Sequence, residues 1–93
     1  MKTYFTLFLL SISALINAQQ YNSDNVSKRV MNLYEKAIAL LRDEQFKEAV
    51  PLLLTAIKED SNFVDGYLSL AGTFGELKQY KRSIRFYETA HLV

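Results

Sequence analysis

A chain of 93 residues, 49% hydrophobic and 23% charged, with one proline and three glycines, has room for one small helical domain and is too apolar for a disordered polyelectrolyte. A formal net charge of +1 does not favour nucleic-acid binding, which usually demands a basic stripe and a high pI, so no nucleic-acid partner is expected. The absence of cysteine excludes both a disulfide framework and the lipid acceptor of a bacterial lipoprotein.

The N-terminus has the pattern of a secretory signal. Lys2 supplies the positive charge, Tyr4 to Ile16 form an uncharged apolar stretch, and Ala18 is a small residue followed by Gln19, Gln20 and the polar run Tyr21 to Ser27. An uncleaved membrane anchor is the alternative, but it needs about 20 consecutive apolar residues, and this stretch is shorter. Residues 1–18 are therefore read as a signal peptide and 19–29 as a polar spacer leading into the first helix. The expected location is the periplasm or an outer-membrane-associated position. Loss of Lys2 leaves as many basic as acidic residues in the mature chain.

From Val26 onward apolar and charged residues alternate with helical periodicity, and four helices are expected. The first spans about Ser27 to Arg42, capped by Ser23 or Ser27. A turn at Asp43 leads to a second helix from about Gln45 to Glu59, with Pro51 close enough to its start to be tolerated. The third spans about Asn62 to Glu76, capped by Ser61 or Asn62, and carries Gly72 and Gly75, each about 1 kcal/mol less favourable in a helix than alanine. Either something approaches the backbone of these glycines closely, or the helix is locally weak. A turn at Lys78 leads to the fourth helix, from about Gln79 to the end.

Comparing the chain with itself at an offset of 34 residues pairs Val30 with Val64, Ala37 with Ala71, Leu40 with Phe74 and Phe46 with Tyr80. The same offset pairs Ala49 with Ser83, Val50 with Ile84, Leu53 with Tyr87 and Ala56 with Ala90. Small residues at Ala37, Ala49, Ala56 and their counterparts let helix axes approach to about 8–10 Å. The bulky residues fill the space between: Leu33, Leu40, Phe46, Val50 and Leu53 in the first unit, and Tyr67, Leu70, Phe74, Tyr80, Ile84 and Tyr87 in the second.

On these residues the chain resembles the tetratricopeptide repeat, a 34-residue helical hairpin. Tyr67, Leu70, Ala71, Phe74, Tyr80, Ser83, Tyr87 and Ala90 fall where that repeat has aromatic, Leu, small, aromatic, aromatic, Ala, aromatic and Ala. The first unit departs from the pattern at Leu33 and Lys36, and Ser61 stands where a proline is usual. The resemblance implies an all-α fold, a short α-solenoid of two antiparallel helix-turn-helix repeats over residues 30–63 and 64–93, the second cut short. It also implies a scaffold for protein–protein interaction. The order of signal, spacer and paired repeats is similar to the start of Gram-negative outer-membrane proteins of the OmpA family, in which such repeats precede a β-propeller and a peptidoglycan-binding domain. A non-catalytic appendage of an exported enzyme is a further alternative.

The partner surface expected for such a scaffold is the groove formed by the first helix of each unit. Met31, Tyr34, Glu35, Ile38, Leu41 and Arg42 contribute from one unit, and Asp65, Leu68, Ser69, Gly72 and Glu76 from the other. A protein or peptide segment is the expected occupant. The competing reading is that Met31, Tyr34 and Ile38 pack on the neighbouring helix. Lys78, Lys81, Arg82 and Arg85 share one side of the fourth helix, partly offset by Glu88, either as a solvated face or as a contact for an acidic partner or anionic lipid headgroups. Ile84, Tyr87 and His91 leave an apolar face on which further repeats or another chain could pack. His91 is the sole histidine, there is no thiol, and no glycine-rich loop occurs, so no catalytic residue, metal site or cofactor is expected.

Overall fold

The computed structural model describes residues 26–93; the signal peptide expected over 1–18 and most of the spacer expected over 19–29 lie outside the described residues. Within them the chain forms four α-helices and no strand: α1 (Lys28–Arg42), α2 (Phe46–Glu59), α3 (Val64–Glu76) and α4 (Tyr80–Leu92). Each helix packs on its neighbours in the chain, α1 on α2, α2 on α3 and α3 on α4. The result is an all-α, repeat-like fold.

The repetition is written into the turns. Glu44 and Lys78, which are 34 residues apart, both adopt positive φ, at 60° and 61°. Behind each, the chain closes the preceding helix with the same pair of bonds. Glu44 N donates to Leu41 O and Gln45 N to Leu40 O at 3.0 and 2.9 Å; Lys78 N donates to Gly75 O and Gln79 N to Phe74 O at 3.0 and 2.8 Å. This is the Schellman arrangement, which satisfies carbonyls that the helix end would otherwise leave without donors. Glutamate and lysine hold the left-handed position where glycine is usual, at a cost of about 1–2 kcal/mol each. Gln45 and Gln79 then begin the next helix with matching backbone angles and no side-chain cap.

Small residues bring the helices together. Ala37, Ala49, Ala56 and Ala71 are fully buried and Ala90 is nearly so. In the second hairpin the position matching Ala49 is Ser83, whose hydroxyl donates to the Ala71 carbonyl across the α3–α4 contact at 2.6 Å. One buried cluster joins Ala37, Ala49, Leu53, Leu70 and Phe74, and a second joins Val30, Ala56 and Phe63. Pro51 sits within an unbroken α2.

Three sequence-based expectations are corrected. Tyr80, Ile84 and Tyr87 do not fill the core, being 61%, 58% and 60% exposed, whereas the open apolar face expected at Ile84 and Tyr87 is present. Their counterparts in α2, which packs on α3, are half-buried at Phe46 and Val50 and buried at Leu53, and among the described residues no helix packs on this side of α4. Phe86 takes the inner position instead, stacked on Phe74 with ring centroids 5.5 Å apart. Neither Ser61 nor Asn62 caps α3. Its N-cap is Phe63, without a side-chain bond, because the Asp60 carboxylate accepts from Asn62 N at 3.0 Å and Phe63 is drawn into the core. The close approach considered at Gly72 and Gly75 falls elsewhere: a Cβ on Gly72 meets nothing within 4 Å and one on Gly75 makes ordinary contact with Ser83 at 3.6 Å. Gly66 is the glycine with a close neighbour, since a Cβ there would lie 2.7 Å from Ile57 Cγ2. Ser27, by contrast, caps α1 as expected, accepting from Val30 N at 3.2 Å.

Candidate partner-binding face

The candidate groove residues recur at helical spacing and so form one stripe on α1 and one on α3. The structure joins the stripes at one point, where the Ser69 hydroxyl donates to the Tyr34 hydroxyl at 3.5 Å. Tyr34 also meets Phe63 edge-on, with centroids 5.1 Å apart and planes at 84°. Met31, Tyr34 and Leu41 pack partly against the buried clusters. Ile38 is half-buried, whereas Glu35, Arg42, Asp65, Leu68, Gly72 and Glu76 are exposed.

Leu68 is the most prominent apolar group on this face, 41% exposed. Its counterpart in the first unit is Tyr34, which is partly covered by Phe63. Leu68 has no such cover. Around these apolar groups stand three carboxylates, Glu35, Asp65 and Glu76, against one guanidinium, Arg42. The face can therefore bury an apolar anchor and attract basic neighbours of that anchor. The open space over Gly72 lets a backbone approach α3 closely.

The basic residues of α4 divide. Arg82 and Arg85 line a recess with Leu54, Phe74 and Phe86, of about 260 Å³, while Lys81 is exposed and Lys78 forms the positive-φ turn. Sequence reasoning missed Leu54 and Phe86 here. Phe86 was legible from its spacing, since it falls between Ser83 and Ala90 on one side of the helix. The partnering of Leu54 with α4 is set by tertiary packing and had no local signal. Among the described residues no group of three metal-ligating side chains converges, and no helix is long and apolar enough to cross a membrane. No protein-family model, curated protein or solved structure matches the chain.

Proposed function

We propose that this chain is an exported interaction scaffold of tetratricopeptide type, without catalytic activity, whose α1–α3 face holds a peptide segment or helix of a partner protein in the cell envelope. The observation that carries the reading is Leu68, a large apolar side chain left open on a face whose rim is acidic. Burying such a residue against a partner stabilises the complex by about 1.5–3 kcal/mol. The identical turns 34 residues apart and the buried alanines at matching places support the tetratricopeptide assignment. The apolar flank of α4 supports the second reading, that this segment leads a larger envelope protein of the OmpA kind, because that flank matches the side of α2 that α3 covers.

The test uses the full chain as bait against an envelope extract of the producing cell. Leu68→Glu and Glu35→Lys alter exposed positions and leave the core untouched, so a partner held on this face should be captured less by both. Equal capture by both variants refutes the groove. Export is tested by fractionation and N-terminal sequencing. A mature chain beginning at Gln19 is expected, and cytoplasmic protein that retains Met1 rules export out.

A further inference from the structure

A second recognition surface lies on the other side of α3. Phe74 is two residues from both Gly72 and Glu76, which at about 100° per residue turns it away from the α1–α3 face. It floors the recess between α2 and α4 together with Leu54 and Phe86. The two rings stack with planes 15° apart, and Leu54 is 40% exposed although it is a large apolar residue. At about 260 Å³ the recess is below the roughly 300–1,000 Å³ of sites that hold small molecules and cofactors. It is the size of a place for a side chain.

The rim is cationic. The Arg82 guanidinium lies 5.6 Å from the Phe74 ring centroid. Arg82 is in no ion pair among the described residues, so its N–H donors can bind an acceptor. Arg85 is exposed, and the one ion pair among the described residues, Arg29 with Glu59, involves neither arginine. Two unneutralised guanidiniums beside an apolar floor complement carboxylates flanking an apolar side chain, and arginine binds carboxylate through two parallel bonds.

We propose that this recess docks an acidic peptide segment of a partner protein, with one apolar side chain seated on Leu54, Phe74 and Phe86 and neighbouring carboxylates held by Arg82 and Arg85. A peptide fits better than a membrane surface, because the apolar groups form a hollow and do not project toward a bilayer. The site is independent of the α1–α3 face.

Fluorescence anisotropy with the full chain and two labelled peptides tests this. One peptide has glutamates flanking a central phenylalanine, and the other has lysines in their place. The glutamate peptide should bind at least tenfold more tightly, and its affinity should fall as salt is raised. Arg85→Glu should weaken it by about tenfold, the scale of one charge-assisted hydrogen bond, and Leu54→Ala should weaken it severalfold. Both substitutions are at exposed residues, and unchanged circular dichroism would establish that they fold. Leu68→Glu, on the other face, should bind the peptide normally. Equal binding of both peptides, or affinity unchanged by Arg85→Glu, overturns the proposal. So does Arg85-dependent capture by phosphatidylglycerol vesicles without peptide binding, or self-association that Arg85→Glu abolishes, since the occupant is then a membrane or a second copy.

Discussion

Two glycines in one helix should respond to the same substitution with opposite signs. Gly66→Ala places a methyl group 2.7 Å from Ile57 Cγ2 and 3.0 Å from Phe63 Cδ2, where it would have to displace a branched methyl and a buried ring. Overpacking of this kind costs about 1–3 kcal/mol, offset by about 1 kcal/mol of improved helix propensity. The net expectation is a loss of up to about 2 kcal/mol. Gly72→Ala meets nothing within 4 Å and keeps the propensity gain, about 1 kcal/mol of stabilisation. In a domain of this size 1 kcal/mol moves Tm by about 4–8 °C, so thermal unfolding followed by circular dichroism resolves both changes. A double-mutant cycle with Ile57→Ala, which deletes the clashing methyl, should remove much of the Gly66→Ala penalty. If Gly66→Ala stabilises as much as Gly72→Ala, or if Ile57→Ala does not couple to it, the proposed close contact between α2 and α3 is wrong.

Four further outcomes follow from the same packing. Glu44→Gly and Lys78→Gly relieve the left-handed positions and should each stabilise by about 0.5–1 kcal/mol once the entropy of glycine is counted, with nearly equal effects in urea unfolding because the turns match. Ser83→Ala, which converts the second hairpin to the alanine of the first, should cost about 0.5–1.5 kcal/mol through the lost bond to the Ala71 carbonyl; a stabilised variant would show that bond to be worthless. Leu53→Ala removes a fully buried side chain at a cost of about 2–5 kcal/mol, comparable with the whole stability of so small a core, so the helical signal should be lost at ambient temperature. Ile84→Gln with Tyr87→Gln should change stability by no more than about 0.5 kcal/mol in the isolated chain, since both side chains are exposed; a loss of several kcal/mol in denaturant titration would mean that the flank is covered.

The four helices and the alanines at their contacts were legible because both rest on local periodicity. Ala37 and Ala56 recur at one offset as Ala71 and Ala90, Ala49 recurs as Ser83, and the structure buries all five alanines. The expected helix ends lie within two residues of those observed, with the largest shift at the start of α3. That shift was not legible. The sequence offers Ser61 and Asn62 as caps, but burial of Phe63 outweighed the capping preference, and the Tyr67 hydroxyl takes up the Ser61 carbonyl at 2.9 Å instead. Misplacement of Tyr80, Ile84 and Tyr87 in the core had a different cause. Their pattern is that of buried residues, but pattern reports what a position suits and not whether a covering helix is present. Of the candidate groove, the stripes and their acidic rim were legible. The use of Tyr34 by Phe63 was not, because it depends on a tertiary contact between α1 and the start of α3.

The two ends of this small stack are chemically unlike, and the difference gives it a direction. On α3 the positions that meet α2 include Phe63 and Gly66, with Leu70 buried nearby. The matching positions on α1 are Arg29, Asn32 and Lys36, all exposed. Arg29 bonds to Glu59 at 2.6 Å across the surface, which contributes little energy but keeps this end polar. A helix stacked ahead of α1 would have to desolvate those groups without replacing their hydrogen bonds. At the other end, the α2 face made by Phe46, Val50, Leu53 and Ile57 is repeated on α4 as Tyr80, Ile84, Tyr87 and His91, and there it is open. Head-to-tail stacking of copies would set the polar face of α1 against the apolar flank of α4, a poor match in both polarity and shape. A helix with the pattern of α3, small at the place of Gly66 and aromatic at that of Phe63, meets the requirement of this flank. Leu68 belongs to the same open end, since its counterpart Tyr34 is covered by Phe63 at the start of α3. Occupation of the α4 flank would therefore also narrow the space around Leu68, and binding on the α1–α3 face and packing on α4 are expected to be coupled through that residue.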